Sequence, residues 1–407
     1  VVTQRRHIRV LMYSHDTFGL GHLRRTRAIA HSLVEQNEDL SVLILTGSPI
    51  IGSFDFRSRV DFVRIPGVIK LKDGNYTTLK LKMAIEDTLA MRASIIKHTA
   101  EAFNPDLFIV DKEPLGLRGE VHDTLISLKE RGTPLVLGLR DVMDDPDLLE
   151  PEWKRKNVNP ALRDLYDQIW VYGLPQICDP LEGVTISDSA RRKMVYTGYL
   201  KRQLPATADL EYQPGKITPP YILVTPGGGG DGDAMVDWVL RAYEHDPNLP
   251  HPALVVFGPF MKSDRQSEFM TRVDRLSNVE AITFDARMES LMEPAVAVVA
   301  MGGYNTFCEI LSFDKRALII PRTRPRMEQF IRASRAQDLG LVTMLEDRSD
   351  RDPIMMATAL RQLPQQQRPS EVVVPGLMDG LSNVNRLAEN LASASCRYPQ
   401  RLTSTAD

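Results

Sequence analysis

Cysteine is scarce in this chain. Only Cys178, Cys308 and Cys396 occur in 407 residues, far apart and never as a CxxC pair. Neither a zinc site nor a disulfide framework is therefore expected, and a reducing cytoplasm fits the chain. Charge of one sign is also missing. The 50 basic and 53 acidic residues leave a net charge of −3, without the basic surplus of a general nucleic-acid binder. No apolar run approaches the roughly 18 residues of a membrane span. The short run behind Arg5 and Arg6 ends at His15-Asp16, too soon for a signal peptide. Repeats of short period are absent, which sets solenoids and propellers aside. What remains, with 43% hydrophobic and 25% charged residues, is an ordinary globular composition, too long for one core at about 150 residues per domain.

Apolar runs of strand length alternate with segments of helical period, the grammar of a parallel sheet with crossover helices. In the first half, strands are expected at IRVLMYS, LSVLILT, DFVRI, DLFIV, PLVLGL and QIWVYG, with helices over 21–36, 80–103 and 117–131. The second half restarts with YILVTPG, ALVVFG, VEAITF, AVAVVAMG and RALIIPR, and helices near 232–245, 304–312 and 326–339. Between the halves, RQLPATADLEYQPGKITPP is rich in proline and polar residues and reads as a linker. The expected organisation is a first α/β domain over 1–200, a linker over 201–219, a second α/β domain over 220–378 and an amphipathic helix over 379–394.

Ligands of open α/β sheets bind beyond the carboxyl ends of the strands, and three segments there carry chemistry. After the first strand, Gly19 and Gly21 precede His22 at a helix start. The glycines let backbone approach a ligand, and a neutral histidine can take a proton from a hydroxyl; the alternative is a histidine that caps the helix. Asp111 ends another strand of the same half and reads equally as a partner of His22, a base or a loop cap. Arg140-Asp141 and Asp144-Asp145 read as lining the cleft or, more simply, as a solvated loop.

In the second half, Gly227, Gly228, Gly229 and Gly230 lie between a strand and a helix, where backbone amides and the helix N-terminus suit a diphosphate. Asp231 and Asp233 read as caps of that helix. No GKS or GKT follows, so ATP hydrolysis is not supported. Further on, Gly302 and Gly303 end a strand, Thr306 and Glu309 follow on a helix, and Pro321, Arg322, Arg324, Arg326, Glu328 and Gln329 follow the next strand. A carboxylate such as Glu309 can accept both hydroxyls of a ribose, and arginines suit phosphate.

The order Gly303, Thr306, Glu309, Pro321, Glu328-Gln329 resembles the donor domain of glycosyltransferases of family 28, the family of the peptidoglycan lipid II type. Gly19-Leu20-Gly21-His22 looks like that family's glycine-rich acceptor loop, and Thr197-Gly198-Tyr199-Leu200-Lys201-Arg202 resembles its interdomain segment. The resemblance implies the GT-B fold: two Rossmann-like domains facing across a cleft, with the 379–394 helix crossing back to the first. It implies an inverting glycosyltransferase that moves a sugar from a nucleotide donor, foremost a UDP-sugar, to a hydroxyl acceptor. Glu309 would hold ribose, Glu328 and Gln329 the sugar, the Phe284–Met288 loop the nucleobase, and Arg202 with the glycine loop the diphosphate. His22, with Asp111 beside it, would serve the acceptor hydroxyl. No metal or further cofactor is expected. Three departures stand out: four glycines replace the family's Gly-Gly-Ser, TGYLKR replaces TGNPVR, and Glu328 replaces a glutamine. The last leaves N-acetylglucosamine open as the donor sugar. A nucleotide-sugar hydrolase, a 2-epimerase and a non-catalytic nucleotide-sugar binder are the alternatives. The stretch with Lys70, Lys72, Lys80 and Lys82 among apolar residues suits either peripheral membrane contact or, more simply, a core-facing helix with solvated lysines.

Overall fold

The computed structural model describes residues 7–15, 21–71, 76–204, 215–228, 230–285, 287–347 and 350–395. Strands β1 (Ile8–Ser14), β2 (Leu40–Thr46) and β3 (Val60–Arg64) are followed by a small antiparallel hairpin, β4 (Val68–Lys70) with β5 (Tyr76–Thr78). Then come β6 (Leu107–Asp111), β7 (Leu135–Arg140), β8 (Gln168–Tyr172) and β9 (Met194–Tyr196). The first sheet has the order β3-β2-β1-β6-β7-β8-β9, all parallel. The second half holds β10 (Ile222–Thr225), β11 (Ala253–Val256), β12 (Val279–Ile282), β13 (Ala297–Ala300), β14 (Arg316–Ile319) and β15 (Thr343–Met344). Their order, β12-β11-β10-β13-β14-β15, is again all parallel. Two Rossmann-like domains result, and in each the strand order reverses beside its first strand, where a crevice for ligands opens.

The sequence dictates this because parallel strands are covered on both faces and so read as unbroken apolar runs; β6, LFIVD, is buried at every residue. Two expected helices shorten. The 80–103 segment becomes helical only at Ile85, since Leu79-Lys80-Leu81-Lys82-Met83 alternates with period two rather than 3.6. Leu71, Leu81 and Met91 are exposed there. The 117–131 segment starts its α-helix at His122, because Gly116 and Gly119 adopt positive φ of 68° and 85°. No helix among the described residues is long and apolar enough to cross a membrane.

The domains share a core. Val10, Met12 and Trp170 of the first belong to one apolar cluster with Leu223, Phe307 and Ile319 of the second, joined through Tyr199 and Tyr304. Helix Gly380–Ser395 lies against helix Gly21–Gln36, with Asn385 Nδ2 donating to Ser32 Oγ at 2.9 Å. The chain crosses between the domains twice at one place: Tyr199 N donates to Leu377 O at 2.8 Å and Gly380 N to Tyr199 O at 3.1 Å. Only glycine fits this crossing. A Cβ on Gly198, whose φ is +89°, would lie 2.4 Å from Gly376 O, and one on Gly380 would lie 2.4 Å from Tyr199 O.

A polar clamp completes the interface. Arg332 donates from Nε and Nη2 to the two oxygens of Asp141, at 2.7 and 2.6 Å, and from Nη1 to Gly302 O at 2.9 Å. Tyr199 Oη adds a third donor to Asp141 at 2.7 Å. Asp141 and Arg332 are both 0% exposed, so removing one leaves the other charged without a counterion. Asp141→Ala is expected to destabilise the protein by about 3–5 kcal/mol in urea unfolding, and the double change Asp141→Leu with Arg332→Met by markedly less.

Candidate functional site

The loop after β1 leads into helix Gly21–Gln36, which buries Leu23, Thr26, Ile29, Ala30, Leu33 and Val34 on the sheet. Its first turn thereby stands over the end of β6. His22 and Arg25, three residues apart, share a helix face and both meet Asp111: His22 Nδ1 lies 2.5 Å from Oδ2, and Arg25 Nε and Nη2 lie 2.8 and 2.6 Å from the carboxylate oxygens. Burial pushes Asp111 upward, but Arg25 and His22 overcome it and hold the carboxyl well below the usual range. Burial lowers the His22 imidazole and so favours its neutral form, against the opposing pull of Asp111. With Asp111 accepting from Nδ1, Nε2 carries the free lone pair. His15 stands edge-on to His22 with ring centroids 5.6 Å apart, and burial drives its pKa down to about 3.

In the second domain the loops after β10 and β13 sit side by side at the switch point. Gly227 has a φ of +82°, and a Cβ there would be 3.8 Å from Thr306 Oγ1. The two helices that start here, Asp233–His245 and Tyr304–Ser312, have Gly232 and Gly303 at their N-caps and no side-chain cap, so their N-terminal amides stay available to an anion. Asp231 and Asp233 are therefore not caps: Asp231 pairs with Arg322, and Asp233 lies 3.3 Å from Arg265. That pairing neutralises a carboxylate which would otherwise repel a phosphate on the loop. Gly228 and Gly230 lie along the same loop, whereas Gly229, like Gly19, falls outside the described residues.

Glu309, 1% exposed, is held by Arg24 of the first domain, which also reaches Glu289 at 3.0 Å. Arg202, 7% exposed, donates to Asn305 Oδ1 at 2.7 Å, and Asn305 donates to Gly21 O at 3.0 Å. Arg202 Nη1 has no partner. Beside this group opens a cavity of about 560 Å³ lined by Arg24, Arg202, Arg287, Glu289 and residues of the first and last helices, a size that suits a nucleoside-sized ligand. Phe284 is 36% exposed and Met288 is buried.

Glu328 and Gln329 open helix Glu328–Asp338. Gln329 Oε1 accepts from Arg322 N at 3.1 Å, and Glu328 Oε1 accepts from Arg322 Nη2 at 2.8 Å. Burial alone would raise Glu328, but Arg140, Arg322, Arg332 and Lys112 pull it down to about 2. Its Oε2 is unpaired, as are Arg322 Nε and Arg140 Nε. The reading of Arg140-Asp141 and Asp144-Asp145 as a solvated loop is corrected for three of the four. Asp141 and Asp144 are buried, Arg140 faces Glu328, and Asp144 binds Arg326 at 3.0 Å and the Met327 amide at 3.1 Å; their partners lie on the other domain. Asp145 is a cap, accepting from Asp147 N at 2.9 Å.

The structure thus gathers His22 with Asp111, Thr306 with the glycine loop, and Glu328 with Gln329, and it places Gly21 and Arg202 on either side of Asn305. Sequence reasoning passed over Arg24, Arg25, Glu289, Asn305 and Arg332. One local signal existed for Arg25: its spacing from His22 puts the two on one helix face.

Residues 250–369 match the family model described as the glycosyltransferase family 28 C-terminal domain. Comparison with curated protein sequences gives no match. Among solved structures, the calicheamicin glycosyltransferase CalG4 is similar at a TM-score of 0.60 and 14% identity, covering 98% of this chain and 100% of its own. The MurG protein of Acinetobacter baumannii gives a TM-score of 0.56 and 13% identity over 94% of this chain and 99% of its own. Phytolacca americana UGT2, solved with UDP-2fluoro-glucose and pterostilbene, gives 0.59 and 14% over 96% and 95%. The chain thus has a GT-B fold along its length, and its second half carries a region that matches the glycosyltransferase family 28 C-terminal domain.

Proposed function

We propose that the protein transfers a sugar from a nucleoside diphosphate donor, a UDP-sugar foremost, to a hydroxyl acceptor with inversion at the anomeric carbon. The observation that carries this reading is the His22–Asp111 pair, 2.5 Å apart, at the carboxyl edge of the first sheet, in the same cleft as the Glu309 and Glu328 carboxylates of the second. His22 Nε2 takes the acceptor proton while Asp111 holds the ring and balances the imidazolium. The acceptor oxygen forms its bond to the anomeric carbon as the bond to the diphosphate breaks, and the electron pair leaves on the diphosphate. Arg202 Nη1, unpaired and buried, and the two uncapped helix N-termini meet that charge. Glu309 receives the ribose hydroxyls in exchange for Arg24, which turns to Glu289, already within 3.0 Å.

Three outcomes test this. In calorimetry with UDP and dTDP, Glu309→Ala weakens nucleotide binding by roughly 1.5–3 kcal/mol, on the order of tenfold to a hundredfold; unchanged affinity sinks the ribose assignment. His22→Ala lowers turnover by about 10² to 10⁴ while nucleotide affinity stays within about twofold. Because burial lowers His22, the base is already neutral at pH 7, and the acid limb of kcat/KM falls below the ordinary histidine value of about 6.5. A limb centred above that value contradicts His22 as the base.

A further inference from the structure

Arg140 ends β7 in the first domain and carries five N–H donors. Among the described residues its guanidinium makes no hydrogen bond: Nε is buried and unpaired, and the one carboxylate within ion-pair distance is Glu328 of the second domain, Nη2 to Oε2 at 3.8 Å, outside hydrogen-bond reach. That same Oε2 is the unpaired oxygen of Glu328. Glu328 has Arg322 on its other oxygen, Nη2 to Oε1 at 2.8 Å, but Arg140 has no other partner to turn to. Asp141, the neighbour of Arg140, is occupied by Arg332 and Tyr199, and Asp111 by Arg25 and His22. Buried donors and acceptors left in this way mark a place for a ligand. A donor and an acceptor facing each other across the cleft call for a group that accepts from one and donates to the other, and a hydroxyl does both.

Charge decides what kind of hydroxyl compound fits. Arg140 and Arg322 are balanced by Glu328 and Asp231. Lys112, Lys156 and Arg326 are balanced by Glu113, Glu152 and Asp144. Arg332 is balanced by Asp141 and Arg25 by Asp111. Within this group each cation is already matched by a carboxylate, so a further anion placed beside Arg140 would be buried without its own counterion, at a cost.

We propose that Arg140 is a specificity-determining residue that, together with Glu328 across the cleft, reads the hydroxyls of the transferred sugar and selects a neutral, hydroxyl-bearing hexose over a uronic acid. This rests on the donor site described above. Arg140 belongs to the first domain and Glu328 to the second, so the sugar is read only when the two domains face each other as they do here. Nucleotide without sugar does not need Arg140.

The test is calorimetry of the full chain with UDP, UDP-glucose and UDP-glucuronate, and with the corresponding dTDP compounds, on the wild type, Arg140→Ala and Arg140→Lys. Wild type is expected to bind UDP-glucose more tightly than UDP and more tightly than UDP-glucuronate. Arg140→Ala is expected to keep UDP affinity within about twofold and to lose on the order of tenfold for UDP-glucose; Arg140→Lys, with the charge but not the planar fork, loses an intermediate amount. The proposal is overturned if glucose adds nothing to wild-type affinity, if its increment survives in Arg140→Ala, or if UDP-glucuronate binds best. Loss of UDP affinity along with the glucose increment assigns Arg140 a structural role and also overturns it. Failure of both nucleotides to bind wild type instead defeats the donor-site reading itself, and this inference with it.

Discussion

The most deeply buried ionic contact between the two domains centres on one carboxylate. Asp141 accepts from both ends of the Arg332 guanidinium and from Tyr199, and Arg332 in turn grips the carbonyl of Gly302. In a site closed to water such a forked pair fixes orientation as well as distance. Gly302 precedes the helix that carries Thr306 and Glu309, so the clamp sets where that helix begins. Tyr304, in the first turn of that helix, has the Arg332 and Arg25 guanidiniums 5.7 and 5.5 Å from its ring centre. Arg25 is the residue that secures Asp111. The His22–Asp111 pair of the first domain and the helix carrying Thr306 and Glu309 in the second are thus tied through one tyrosine ring.

Around that clamp the cleft is dense in paired charges. Low local dielectric makes each pair strong and each unmatched group expensive, which is why so few atoms remain unpaired. Among the described residues the charged groups with a buried atom left without a hydrogen bond, Arg202 Nη1, Arg140 Nε, Arg322 Nε and Glu328 Oε2, lie where two domains meet rather than on the outer surface. Preorganised dipoles of this kind need no rearrangement when charge moves during reaction.

The fold was readable from the sequence because doubly covered strands are continuous apolar runs, and every expected strand of both sheets is present. Among the strands, what escaped were β9 and β15, three and two residues long, and the β4-β5 hairpin, all too short to show a period; the helices Pro146–Arg155, Val158–Asp164, Ser263–Val273 and Pro353–Gln362 were not expected either. The family 28 domain was legible because its signature, from Gly303 to Gln329, is nearly contiguous. The first-domain site was harder: His22 and Asp111 are 89 residues apart, and nothing local says that they meet. The Asp141–Arg332 pair, separated by 191 residues, was invisible. A cluster of acids and an arginine after a strand looks solvated, and only the opposite domain supplies the partners that bury it.

The double crossing of the chain has a mechanical meaning. A single linker would let the two domains swing and twist independently, whereas two segments bonded backbone to backbone at Tyr199, Leu377 and Gly380 behave as the pin of a door. Rotation about that pin leaves the crossing intact and separates most widely the residues farthest from it. The glycines at the crossing are therefore bearings: a side chain at Gly198 or Gly380 would wedge the pin apart and change the angle at which the door comes to rest.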